Sequence, residues 1–347
     1  CIRKVRFSMK KWLSILPLSL ILLLCACQSS DASAQIFAMD TVMDLTVQGS
    51  GSAQALKDAE AELYRLDALL SRQDSASAVS ALNESAGSPV AVEEELYNLL
   101  QTAVEYSTLT DGAFAVTVAP IMDAWDFTGE HPRVPSRAEL DSLLSLAGDE
   151  RIVFGSGTVT LEPGMAVDLG GIAKGYASDR LAELFAADGV SSAMVSLGGN
   201  VYVRGTKRDG SLWRVAIEDP NDTAAYLGVL SLQDRFIITS GGYQRYFERD
   251  GVTYYHIIDP KTGDVARSGL LSATVVSDNG TMGDALSTAL FVMGREKAVQ
   301  FWRTSGLDFD MVLCDDSGHV YYTEGLKESF DTSLAEHAYE YICIPKN

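Results

Sequence analysis

Val167-Asp168-Leu169-Gly170-Gly171-Ile172-Ala173-Lys174-Gly175-Tyr176-Ala177-Ser178-Asp179 is the stretch on which the reading of this chain turns. A short apolar run, Met165 to Val167, meets Asp168, then two glycines, then residues at helical spacing. Gly170 and Gly171 let the backbone turn tightly and approach a ligand closely. A helix start leaves free N–H groups and the positive end of a dipole, which suit phosphate. Lys174 adds a cation, and Asp168 a carboxylate just before the turn. Two readings stand at this level: a plain strand-to-helix connection, or a phosphate cradle. The stretch is neither the Gly-rich dinucleotide fingerprint nor a Walker loop, so the rest of the chain decides.

Outward from it, helices and short strands mix without a strict βαβ rhythm. Upstream, residues 37–47 alternate as a strand. Residues 53–70 carry Leu56, Ala59, Leu63, Leu66 and Leu70 at helical spacing, a core-facing stripe. Residues 71–83 are polar and read as a loop, and residues 96–108 as a second helix ended by Asp111-Gly112. Residues 110–125 read as a turn and a β-prone run that Pro120 stops. Asp123 and Trp125 there suit contact with a flat ligand, or, for the indole, packing on a helix. Ser136-Arg137-Ala138-Glu139 is a capping box that opens a helix through Leu146, and residues 152–159 read as a hairpin. Downstream, the helix after Asp179 runs to a stop at Gly189. Strands are expected at 193–197, 201–204, 213–218, 227–232, 236–239 and 271–276, with a hairpin turn at Asp250-Gly251. The mixture predicts an α+β fold of helices and mainly antiparallel strands.

The 347 residues carry a net charge of −20 and are 47% hydrophobic. That is ample material for a core, and the acidity argues against a nucleic-acid-binding surface. An anionic substrate in such a chain needs a metal ion or local cations to offset the field. The five cysteines (Cys1, Cys25, Cys27, Cys314, Cys343) form no Cys-x-x-Cys zinc pattern, and four scattered histidines offer no His-rich metal site. Cys314 and Cys343 are either a bridge in an exported protein or buried free thiols.

The N-terminus reads as an export signal. Arg3, Lys4, Arg6, Lys10 and Lys11 precede an apolar run over residues 12–26, too short for a typical membrane-spanning helix. Leu24-Cys25-Ala26-Cys27 resembles a bacterial lipobox, in which cleavage leaves Cys27 as a lipidated first residue. Residues 1–26 are then a signal peptide, 27–36 a lipidated cysteine and flexible tether, and 37–347 the folded domain. Met9-Lys10-Lys11 reads as the natural start. A plain signal peptide and an uncleaved anchor are the alternatives. The lipoprotein reading places the domain in the bacterial cell envelope, on the outer face of the cytoplasmic membrane or on the outer membrane, anchored without spanning it.

Residues 281–290 read as a loop entering a helix. Asp284 and Thr288, four apart, share one helical face. Their hard oxygen donors favour magnesium or calcium over zinc. The alternative is a capping acid and a hydroxyl bonded to a backbone carbonyl. His256, near a strand end, is either a general base or phosphate contact, or a satisfied core residue.

Taken together, these blocks resemble the ApbE family, the FAD:protein FMN transferases. The matching pieces are Met39-Asp40-Thr41, Thr110 through Phe114 with Val118-Ala119-Pro120, Asp168 through Tyr176, Gly198-Gly199-Asn200, Ser240-Gly241-x-Tyr243, His256 through Gly263, and Asp284 through Thr288. They occur in the family's order across nearly the whole domain. The resemblance implies an ApbE-like fold with one site in which FAD, as substrate, lies with its diphosphate on Mg2+. It implies Asp284, Thr288 and the Gly171 carbonyl as metal ligands. It places Met39, Ala113, Phe114, Asp168, Lys174 and Ile258 on FAD, and His256 in catalysis.

The reaction so implied is attack of an acceptor Thr or Ser hydroxyl on the FMN-side phosphorus, with AMP leaving. The acceptor is expected to be a flavoprotein subunit of a membrane redox complex. FAD pyrophosphatase activity and a non-catalytic FAD-binding lipoprotein are the competing readings. Two positions depart from the family pattern: Ala115 stands where it usually has Asp after Gly-Ala-Phe, and Gly242 where it often has Asp before Tyr.

Overall fold

The computed structural model describes residues 31–346; the expected export signal and Cys27 lie outside the described residues. Nine strands form one sheet in the order Ala32–Ala38, Thr41–Val47, Ala193–Leu197, Asn200–Arg204, Arg235–Gly241, Leu270–Ser277, Asp310–Asp315, His319–Thr323 and Glu340–Ile344. Neighbours run antiparallel, except that the last two strands are parallel. Helices cover one face: Ser52–Leu70, Glu94–Leu109, Ala173–Ala187, Gly280–Met293 and Arg295–Thr304. A three-stranded sheet of Trp213–Asp219, Asp222–Leu232 and Phe330–Asp331 covers the other. The fold is α+β, as the sequence predicts.

Alternation along the strands builds these layers. In Leu270–Ser277, Ala273 and Val275 face the helices while Val276 faces the small sheet, so this central strand is buried on both sides. The stripe Leu56, Ala59, Leu63, Leu66 and Leu70 is buried throughout. A separate apolar cluster gathers Val118, Ile121, Trp125, Leu140, Ile258 and Val265.

Several local expectations are corrected. Residues 37–47 are not one strand but the end of one, a turn, and another. The turn residues Met39 (φ 49°) and Asp40 (φ 58°) are both left-handed, the conformation of a two-residue hairpin loop. The tether expected over 27–36 gives way to strand from Ala32 onward, because Ile36 and Ala38 are core residues. The polar segment after Leu70 contains a short helix, Ala78–Asn83, capped by the Ser77 side chain. Pro120 starts a helix, Ala119–Trp125, instead of stopping a strand. Cys314 and Cys343 are both free thiols, and burial pushes the Cys314 thiol up to about 12.

Candidate active site

Two helices cross at the base of a cleft. Helix Ala173–Ala187 starts directly after the Gly170-Gly171 turn, and helix Gly280–Met293 is buried along nearly its whole length. They touch at Gly175 and Gly280. A Cβ on Gly280 would lie 2.6 Å from the Gly175 carbonyl oxygen, and one on Gly175 would overlap the Gly280 backbone. This approach lets Asp284, 4% exposed, accept a 2.8 Å hydrogen bond at Oδ2 from the Gly175 nitrogen. Asp179, one turn further along the first helix, caps the second. Its carboxylate accepts from Gly280 N at 2.6 Å, Thr281 N at 2.7 Å and Thr281 Oγ1 at 2.6 Å. Burial raises the Asp179 pKa, and these donors pull it partly back.

Thr288 lies one turn beyond Asp284, its Oγ1 3.2 Å from Ser240 Oγ. Ser240 Oγ is also 2.8 Å from Ser287 Oγ, which ties the sheet to the helix. Gly171 faces this group: a Cβ there would stand 3.7 Å from Thr288 Oγ1 and 3.2 Å from the Phe114 ring. Among the described residues, no three His, Cys, Asp or Glu side chains converge to hold a metal. A cation here would rest on one carboxylate and neutral oxygens. That donor set fits a hard ion such as Mg2+, which keeps places for phosphate and water.

The cleft encloses about 1260 Å³. Its rim is assembled by contacts between segments distant in sequence. Arg245 pins the Met39-Asp40 turn, with Nη1 2.9 Å from Asp40 Oδ2 and Nη2 donating to the Asp40 carbonyl at 2.6 Å. Asp149, buried, holds the segment after Phe114 by accepting from Val116 N, Thr117 N and Thr117 Oγ1 at 2.9, 2.9 and 2.6 Å. Burial raises its pKa against the pull of those donors. Asn83 fixes Val167 from both sides, donating to its carbonyl at 2.9 Å and accepting from its nitrogen at 2.7 Å. Asp168 accepts from Gly170 N at 2.8 Å and pairs with Arg72 Nε at 2.7 Å. Arg72 also meets Asp123 at 2.6 Å.

These pairings leave one cation conspicuous. Arg72 and Arg245 line the cleft but are engaged by carboxylates. Lys174 also lines it and, among the described residues, has no carboxylate partner; its Nζ reaches only the Gly170 carbonyl, at 3.4 Å. An unpaired ammonium beside a helix start favours an anion. His256 lies nearby. Burial, then Arg245 and Lys174, lower its pKa to about 4, so the imidazole is neutral at pH 7. Its Nδ1 is covered and has no partner among the described residues.

The structure brings onto this cleft all ten metal, FAD and catalytic residues that the family resemblance implies. Gly171, Asp284 and Thr288 line it, as do Met39, Ala113, Phe114, Asp168, Lys174, Ile258 and His256. Trp125 does not: it is fully buried, donates to the Gly263 carbonyl at 2.8 Å and stacks on Phe127 at 5.3 Å. The two departures separate as well. Ala115 lines the cleft, whereas Gly242 lines a neighbouring groove, where a Cβ would meet the Tyr255 ring at 2.9 Å. Sequence reasoning missed Arg72, Arg245, Asp149 and Asn83. Arg72 and Asn83 sit in the segment read as a loop, and only partners far along the chain reveal any of the four.

The ApbE family profile matches residues 39–312, which span the cleft from the Met39 turn past Thr288. This chain belongs to the ApbE family. This ApbE-family chain is 32% identical over 335 residues to the FAD:protein FMN transferase of Vibrio cholerae serotype O1, covering 93% of this chain and 99% of that protein. It is 36% identical over 267 residues to the FAD:protein FMN transferase of Treponema pallidum, covering 72% and 74%. The crystal structure of the ApbE protein from Thermotoga maritima superposes with a TM-score of 0.81 at 33% identity, covering 86% of this chain and 99% of that one.

Proposed function

We infer that this chain is an FAD:protein FMN transferase, an enzyme that moves FMN from FAD onto an acceptor flavoprotein. The observation that carries the reading to this site is the meeting, in one cleft, of unpaired Lys174 with Asp284, Thr288 and Gly171. Lys174 and the N–H groups of the following helix favour the diphosphate. Asp284, Thr288 and the Gly171 carbonyl would hold Mg2+. When bound, that ion supplies charge neutralisation at the diphosphate. Met39, Ala113, Phe114, Asp168 and Ile258 line the remaining space and would position the flavin nucleotide.

In the reaction, an acceptor Thr or Ser oxygen bonds to the FMN-side phosphorus as the P–O bond to the AMP side breaks. The hydroxyl proton passes to an acceptor in the cleft. In the tautomer that leaves the Nδ1 lone pair free, His256 suits that role, because it is neutral, it lines the cleft, and that nitrogen is unengaged by protein among the described residues.

The test incubates the soluble domain with FAD, Mg2+ and a candidate acceptor, followed by intact mass and AMP assay. An acceptor gaining one FMN with AMP release supports transfer; AMP and free FMN with unmodified acceptor indicate a pyrophosphatase. Stable FAD would exclude both. Asp284→Ala should abolish metal-dependent turnover, and retained turnover at saturating FAD would remove Asp284 from the metal site.

The lipobox pattern ending at Cys27 supports a lipid anchor in the cell envelope. Among the described residues, no helix is long and apolar enough to cross a membrane. An anchored enzyme favours an acceptor that is itself part of a membrane redox complex. Cys27→Ser should release the protein from the membrane fraction; unchanged membrane association would refute the anchor.

A further inference from the structure

Buried polar side-chain atoms without a hydrogen-bond partner are rare in folded proteins, and each calls for a cause. Among the described residues there are four, and two belong to residues lining the cleft: His256 Nδ1 and Asn200 Nδ2. His256 has a chemical role above. Asn200, 2% exposed, has none.

Its position is tightly fixed. Gly198 (φ 61°) and Gly199 (φ 97°) make the turn just before it. A side chain on Gly198 would overlap Thr41, and the Gly199 carbonyl accepts from Thr239 N at 3.3 Å. Asn200 then pairs with Leu197 on one side and Ile238 on the other. Ile238 packs against Gly283, where its Cδ1 would be 3.0 Å from a Cβ. Ser240, on the same face as Ile238, contacts Thr288 and Ser287. By this register Asn200 shares the sheet face on which the Asp284–Thr288 helix rests.

We propose that the Asn200 side-chain amide donates a hydrogen bond to a phosphate oxygen of the nucleotide bound in this cleft, making Asn200 a positioning residue for the diphosphate. The proposal rests on the reading of the cleft as an FAD site. A neutral donor suits this place. The cleft already carries Asp284 and Asp168, so an incoming diphosphate needs N–H groups as well as Lys174. A bound phosphate oxygen would also satisfy the amide that the protein leaves unmet.

The experiment measures equilibrium binding of FAD, ADP and riboflavin to the purified protein, with and without Mg2+. Asn200→Ala and the isosteric Asn200→Asp are compared with wild type, alongside melting curves. Asn200→Ala should raise the FAD and ADP Kd about 10-fold, the scale of one hydrogen bond to a charged group. Asn200→Asp should raise both further, because it sets a carboxylate against phosphate. Riboflavin binding should stay unchanged. FAD affinity unaltered in both variants would overturn the proposal, and equal losses for riboflavin would move the contact to the flavin ring and overturn it too. If Asn200→Ala melts near assay temperature, the isosteric variant decides. A wild-type protein that fails to bind FAD would instead refute the reading of the cleft itself.

Discussion

The carboxylate of Asp284 is held by the main chain of a residue 109 positions before it: Gly175 N donates to Asp284 Oδ2 at 2.8 Å. The glycine turn and the helix that carries Asp284 are therefore one construction. The contact exists only because Gly175 and Gly280 let the two helices approach.

Gly175→Ala tests that construction. The new methyl would collide with the Gly280 carbonyl and the Asp284 side chain. Overpacking of this kind costs about 1–3 kcal/mol. Melting should fall accordingly, and Mg2+-dependent FAD binding should fall at temperatures where the variant is still folded. Full binding with lowered melting would separate the crossing from the site.

Lys174→Met removes the unpaired cation while keeping the length of the side chain. FAD affinity should drop roughly 10- to 100-fold at low salt, the range for a charge-assisted hydrogen bond. The gap between variant and wild type should narrow as salt rises, because the exposed part of the interaction is screened. Calorimetric titrations at two ionic strengths check both points. A salt-independent loss would assign Lys174 a packing role.

His256 predicts a pH effect with a definite sign. Its pKa is lowered from 6.5 to about 4 in the folded protein. Between those values the unfolded chain binds the extra proton and the folded one does not, so stability rises with pH. The stabilisation is complete above about pH 6.5 and is lost as pH falls toward 4, at a slope on the order of 1 kcal/mol per pH unit. In denaturation measured from pH 4 to 7.5, wild type should lose stability relative to His256→Gln as the pH falls. Parallel curves would show that His256 titrates normally.

Ala115→Asp restores the acid that the family usually carries, in a residue that lines the cleft. FAD should bind a few-fold more tightly, or turnover rise, as read by flavin fluorescence and AMP release. Weaker binding would mean that the cleft, already rich in carboxylates, gains only repulsion. The corresponding change at Gly242 is expected to act differently, since a side chain there meets the Tyr255 ring in the neighbouring groove.

The sequence carried the helices, most strands and the short motifs, because each is a local pattern of spacing and turn residues. The Asp284–Thr288 pair was legible as one helical face, but not that Asp179 would cap that helix from another. The Met39-Asp40 turn was hidden because apolar alternation runs straight through it, with no glycine to mark it. Its left-handed residues are held by Arg245, 205 positions away. Pro120 read as a strand stop because Val116 and Val118 look β-prone, yet the Val116 and Thr117 nitrogens are taken by Asp149 instead of a neighbouring strand. What was missed is long-range pairing of polar groups, which leaves no periodic trace.

Strand Ala32–Ala38 is an edge of the sheet, and it runs straight into the Met39 turn at the cleft. Only Gln28, Ser29, Ser30 and Asp31 separate its first residue from Cys27. With a lipid on Cys27, that connection reaches at most about 18 Å, and the seven-residue strand adds roughly 23 Å. The enzyme would then work on a short leash, its cleft within about 40 Å of the bilayer surface. So anchored, it would reach only hydroxyls presented inside that shell, and the length of four residues would set which acceptors can be flavinylated.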